Sequence, residues 1–300
     1  MKKLQFLVLL FALSGAVVAQ SNNFLVYSIK GNVTVVDNNT ETPAKIGKIL
    51  TGTATLKLAS GAMVTLICNE AAMFTFGKSG NYPLNKFGDS CRVTSSSMGS
   101  NYVKYVWAQM TSHGEGSPGS NRKAFMNTVG AVSRSINNIW IDPRLDTINY
   151  SNGEFPLSWK SYAEAKTYDF SLYNSDNISE PFFKKEVSKL KIPITDFTAR
   201  MVPGKSYFWT TAITGEENDE LKVFNYIAKA DYDKMVAKLI KMGASFEAPA
   251  EQAYRLGFML EDAHYLSEAY QYYTKAAALD STNVLYRSTL MSFKKDYEIK

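Results

Sequence analysis

Residues that carry chemistry are scarce in this chain. Among 300 residues there are two histidines, His113 and His264, and two cysteines, Cys68 and Cys91. Two histidines leave little room for a nucleophile paired with a base. His113 lies in a Gly/Ser/Pro-rich stretch and is expected in solvent. His264 follows Glu261 and Asp262 in a helical pattern, where a surface position or a helix-pair contact is the ordinary role. No GxSxG, HExxH or Gly-rich phosphate loop is present. No CxxC pair offers a thiolate metal site. The acidic run Glu216-Glu217-Asn218-Asp219-Glu220 lacks the glycine and alternation of a calcium loop and is expected as a solvated hairpin tip. These absences lead to the expectation of no enzyme activity and no catalytic, cofactor or metal residues.

Charge and hydropathy exclude further classes. The net charge is +5 and falls to +3 if Lys2 and Lys3 are removed, too mild for a nucleic-acid surface. No tight Lys/Arg cluster and no basic amphipathic membrane helix is evident. Beyond the N-terminus no stretch reaches eighteen apolar residues, so no membrane span is expected in the mature chain.

The N-terminus is the clearest positive signal. Met1, Lys2 and Lys3 form a short positive region, and Leu4 to Leu13 is apolar except at Gln5. Small residues follow, with Val17 and Ala19 in the positions a signal peptidase reads. The pattern predicts a signal peptide over 1–19, cleaved after Ala19, and a periplasmic, cell-surface or secreted location. The apolar run is too short for a membrane helix, and Gln20 is not a cysteine that could carry lipid. In an exported chain, two cysteines suggest one disulfide between Cys68 and Cys91. Closing that loop of about 24 residues stabilises by roughly 3 kcal/mol. Two separate buried thiols are the rival reading.

Periodicity divides the remainder into a multidomain, mainly β chain with an α-helical C-terminal region. From 23 to 107 short β-type runs alternate with turns: Phe24 to Tyr27, Val33 to Val36, Ala54 to Leu58 and Met63 to Cys68, with Asp37-Asn38-Asn39 and Ser60-Gly61 between them. From 108 to 138, the composition of Thr111 to Ser120 predicts an exposed linker. From 139 to 227 short strands return, and Tyr168, Phe170 and Leu172 share one face. From 228 to 300 the period becomes helical. Met235, Leu239 and Met242 form one stripe, Gly243 is a stop, Pro249 opens the next helix and Val284 to Phe293 forms the last.

Three resemblances follow from these residues. Gly31-Asn32-Val33, Gly47 through Gly52, Ala54 to Leu58 and Gly61 to Leu66 resemble the FecR-type domain of exported bacterial proteins. Members that regulate sigma factors carry a membrane helix ahead of this domain, where this chain carries a cleavable signal. Phe155 to Trp159, Ala165, Tyr168 to Leu172, Leu190 through Phe197 and Pro203-Gly204 to Trp209 resemble a fibronectin type III or immunoglobulin-like β-sandwich. In that comparison Trp159 and Trp209 are core positions. Met201-Val202 stand where the family usually has leucine. Leu256-Gly257, Ala269, Tyr273 and Ala276 resemble one tetratricopeptide repeat, in which small residues let two helices approach and the tyrosine packs across them. The full order is also similar to a group of bacterial envelope proteins.

These resemblances imply a binding or scaffolding protein of the cell envelope, working through protein–protein contacts. One repeat buries too little to stand alone, so the tail should dock on the sandwich or on a partner. Tyr265, Tyr270, Tyr272 and Tyr286 are the expected partner contacts, since tyrosines all round a helix leave some outside. A peptidoglycan- or glycan-binding module, using Trp159, Tyr168, Tyr207 and Trp209, is one alternative. An envelope signalling regulator is another.

Overall fold

A computed structural model describes residues 22–91, 100–111, 122, 126, 138–243 and 245–299. The expected signal peptide and His113 lie outside these residues. The chain divides into two compact units between Val93 and Thr94.

The first unit is built of eight strands: β1 (Asn23–Lys30), β2 (Val33–Asp37), β3 (Thr40–Pro43), β4 (Ile49–Thr51), β5 (Thr55–Leu58), β6 (Met63–Cys68), β7 (Ala72–Phe76) and β8 (Gly80–Pro83). They form two four-stranded sheets of order β4-β1-β6-β7 and β3-β2-β5-β8, with every pairing antiparallel. Alternation sets the faces: Leu56 and Leu58 on β5 point to the core while Thr55 and Lys57 do not. Phe24, Val26, Val35, Leu56, Val64 and Leu66 fill the interior. Asn38 and Asn39 both have positive φ, at 49° and 62°, and close the two-residue β2–β3 hairpin as the primed turns require. Gly31 has φ +75°, and a Cβ there would lie 3.1 Å from the Ala62 Cα, so both conformation and space call for glycine. A 3-10 segment, Leu84–Cys91, ends the unit, and Cys91 is disulfide-bonded to Cys68 at the end of β6.

The second unit begins with α1 (Ser100–Thr111) and continues through β9 (Ile139–Ile141), β10 (Thr147–Tyr150), β11 (Pro156–Ser161), β12 (Tyr168–Asn174), β13 (Phe183–Val187), β14 (Lys191–Pro193), the single turn α2 (Thr195–Thr198), β15 (Lys205–Ile213) and β16 (Lys222–Tyr226). A three-stranded sheet has the order β14-β11-β9, and a five-stranded sheet the order β10-β16-β15-β12-β13. β10 runs parallel to β16. Phe170 stacks on Phe197 and Trp209 at centroid distances of 5.3 and 5.8 Å, and Trp159 and Trp209 are buried as expected of core positions. The Tyr207 hydroxyl accepts the Val202 N–H at 2.7 Å, tying the start of β15 to the chain before it. The acidic stretch 216–220 is the β15–β16 connection. It is organised by buried Asn218, which donates to the Thr211 carbonyl and accepts from the Glu220 N–H.

Four helices complete the unit: α3 (Lys229–Lys241), α4 (Pro249–Asp262), α5 (Leu266–Leu279) and α6 (Val284–Asp296). Pro249 occupies the first turn of α4, where its missing N–H costs nothing. Asn283 caps α6 by accepting from the Leu285 and Tyr286 N–H groups. The α3 end is held from a distance: Arg255 donates to the Leu239 carbonyl at 2.7 Å and grips Glu247 at 2.7 and 2.8 Å.

Two features differ from the sequence expectations. The first concerns α1, which covers most of the residues expected to end the first β module at 107. Its Tyr102 and Tyr105 pack on Phe258 of α4 at 5.6 and 4.6 Å, within the second unit. The second concerns the expected linker 108–138. Its first residues extend α1 to Thr111, and Arg122 and Met126 within it are buried rather than solvent-exposed.

Candidate functional site

The helical tail brings together most of the residues singled out from the sequence. α4 and α5 are antiparallel neighbours joined by a tight turn. His264 adopts φ +61° there, and its carbonyl accepts from the Asn149 N–H of β10 at 3.0 Å. Gly257 faces the Tyr273 ring so closely that a Cβ would stand 2.8 Å from it. Ala269 and Ala276 are fully buried on the same side of α5 as Tyr273. The small residues thus allow the close approach of α4 and α5.

The expected contact tyrosines have different fates. Tyr265 is buried, its ring 5.8 Å from that of Tyr232. Tyr270 is half-buried and stacks on Phe293 at 6.1 Å. Tyr272 is half-buried as well. Tyr286 is half-buried 5.0 Å from Tyr254, and burial, with the charges of Glu251, Asp280 and Glu247, pushes its phenol up to about 12. No one of the four is freely exposed, and for Tyr265, Tyr270 and Tyr286 a neighbouring aromatic ring takes part of the cover.

Charged side chains unmarked in the sequence make the most organised site. Arg122 is fully buried and pairs with Glu261 of α4 and, at 2.6 Å, with Asp296 of α6. Arg144 pairs with Asp142 at 2.6 Å and reaches the same Asp296 oxygen at 3.4 Å. Glu261 also accepts the Tyr273 hydroxyl at 2.8 Å. Arg122 lies over the Phe293 ring and Arg144 over Tyr297. Burial works hardest against the Arg122 charge, but the opposing interactions, the Glu261 carboxylate foremost, together outweigh it and hold the guanidinium above its ordinary range. One bridging aspartate thus joins Arg122, Arg144 and the last helix.

A cavity of about 40 Å³ adjoins this cluster, lined among others by Asn101, Arg144, Asp262, His264 and Tyr297. Its size suits ordered water. Burial raises the Asp262 carboxyl above its usual range, opposed by the hydrogen bond from Asn101. The His264 ring nitrogen is 3.4 Å from the Arg144 carbonyl. Among the described residues no group of three or more His, Cys, Asp or Glu side chains is placed to hold a metal ion.

A second buried acid joins the tail to the turn after β10. Glu268 on α5 accepts the Ser151 and Asn152 N–H groups at 2.6 and 2.9 Å through one carboxylate oxygen. Its other oxygen is buried without a hydrogen-bond partner among the described residues. Burial outweighs the two backbone donors and lifts its pKa to about 7. Ser267 adds a bond to the Asn152 carbonyl at 2.9 Å. Phe155 completes the join by packing on Phe293 and Tyr297.

In this arrangement guanidiniums and carboxylates neutralise one another, and the acids and phenols face apolar neighbours. They attach the helices to the neighbouring β-structure. Arg122, Glu261, Asp296 and Glu268 escaped the sequence reading because the ion-pair and backbone partners named for them stand over a hundred positions away, with no local pattern to mark them. No family model matches the chain, and no curated protein matches it.

Proposed function

We propose that this is an exported, non-enzymatic binding or scaffolding protein of the bacterial cell envelope that works through protein–protein contacts. The observation that carries the reading is the construction of the second unit. Helices are fastened to β-sheets by buried ion pairs and backbone bonds, so the charged groups that chemistry would need are consumed in assembly. What remains for function is surface.

Several features support the finer assignments. Two antiparallel four-stranded sheets suit a FecR-like module. The three-plus-five strand order, the parallel β10–β16 pair and the tyrosine bonded back to the chain before β15 suit an immunoglobulin-like sandwich. The Gly257–Tyr273 approach suits a tetratricopeptide-like pair. The Cys68–Cys91 bond suits an oxidising compartment, and no described helix is long and apolar enough to cross a membrane. The glycan alternative loses the aromatics it called on, since Trp159, Tyr168, Tyr207 and Trp209 are all buried.

The test is affinity purification of the tagged full-length protein from crosslinked envelopes, alongside sedimentation with purified cell wall. One dominant protein partner is the expected result, and sedimentation with cell wall alone would overturn it. Deleting the tail is a poor control, because it strips the cover from Phe155 and leaves the Ser151 and Asn152 N–H groups without Glu268. N-terminal sequencing of the mature protein should begin at Gln20; an intact Met1 would remove the export argument.

A further inference from the structure

The outer stripe of α6 is uncovered. Val284, Arg287, Met291 and Lys295 are all exposed, and helical geometry places them within an arc of about 80°. Val284 and Met291 leave 64% and 71% of their surface open. The opposite side carries Thr289 and Phe293, both fully buried, so the helix is firmly oriented and the stripe faces outward by construction. The surface charge of this helix has one sign. Arg287, Lys294 and Lys295 are its cations, while its only acid, Asp296, is buried against Arg122 and Arg144. Lys294 and Lys295 favour the helix C-terminus for reasons of dipole alone, but Arg287, in the first turn, is placed against the dipole. Methionine between long cationic stems makes an adaptable apolar surface.

We propose that this stripe is the docking surface for an acidic amphipathic helix of a partner protein. Apolar side chains of the partner sit between Val284 and Met291, and its carboxylates face Arg287 and Lys295. The inference deepens the binding function above and rests on it. Val284 and Met291 stand seven positions apart, about 10.5 Å along the axis, the repeat at which a second helix presents its own apolar stripe. A lipid surface fits less well, because two aliphatic side chains and no exposed aromatic on the stripe bury too little in a bilayer interface.

The experiment places a photoreactive amino acid at Met291 in the full-length chain, irradiates intact envelopes and maps the joined peptide by mass spectrometry. The expected adduct is an acidic segment with apolar residues at helical spacing. Its yield should fall at least tenfold on Arg287→Glu with Lys295→Glu, while the circular dichroism melt stays unchanged. A lipid adduct, a segment without acidic residues, or an adduct indifferent to the charge reversal overturns the proposal. If Met291 gives no adduct while chemical crosslinking still recovers a protein partner, the stripe is wrong and the binding function stands. If neither recovers a partner, the binding function fails and the stripe falls with it.

Discussion

At the residue scale, buried charge governs the response to substitution. Arg122 lies between two carboxylates with no solvent access, so its removal strands buried charge instead of merely deleting a contact. Arg122→Met should cost about 3–5 kcal/mol, read as a lowered urea midpoint. Adding Glu261→Gln should recover part of that loss; a double variant no more stable than the single would disprove the coupling. Glu268 predicts a pH dependence of definite sign. Its pKa rises from 4.5 in the ordinary carboxyl to about 7 in the fold, so the folded state holds the proton more tightly. The associated stability is fully present below about pH 4.5 and is lost as pH rises through 7, by about 3 kcal/mol. The phenols that face it, Tyr150, Tyr232 and Tyr265, are all raised above their usual value and do not titrate in that window. Urea unfolding between pH 5 and 8 should therefore be flatter in Glu268→Gln than in the wild type. Equal slopes would show that the carboxyl stays charged.

At the element scale, the α4–α5 pair depends on the absence of one methyl group. Gly257→Ala sets a carbon against the Tyr273 ring and should destabilise by about 1–3 kcal/mol through overpacking, although alanine is the better helix former. A melting temperature unchanged by the substitution would mean that Tyr273 moves aside freely. This pair was legible in the sequence because small residues and a tyrosine recur at helical spacing within about twenty positions. The β hairpins were legible for the same reason: Asn38-Asn39 and the alternation of β5 are local signals. The disulfide was expected from the cysteine count, with separate thiols as its rival. α1 was not legible as part of the second unit. Its four buried residues, Tyr102, Val103, Tyr105 and Val106, are too few to show which partner they meet, and Phe258 lies far along the chain. The composition of 108–138 likewise concealed Arg122, since an arginine among Gly, Ser and Asn reads as solvated until two acids of the tail are placed around it. The contact tyrosines were identified by type, but how much of each ring Phe293, Tyr254 and Tyr232 cover is a tertiary fact.

At the scale of the whole molecule, the two units answer to different conditions. Reducing agent acts on the first alone. Breaking Cys68–Cys91 should lower its stability by roughly 3 kcal/mol and leave the pH response of Glu268 unaltered. Thiol titration of the denatured, unreduced protein should find no free sulfhydryl. The position of that bond also matters mechanically. Cys91 is nearly the last residue of the first unit, and its partner ends β6, an inner strand flanked by β1 and β7. A pull on the chain beyond Cys91 therefore reaches β6 directly and cannot peel the Leu84–Cys91 segment away turn by turn. The 23-position separation between the two cysteines stores about 80 Å of contour length that stretching releases only after reduction. In single-molecule extension the first unit should yield in one abrupt step and lengthen by that amount once a reductant is added. Under load, the disulfide is then a fixed limit on how far the chain can be drawn out.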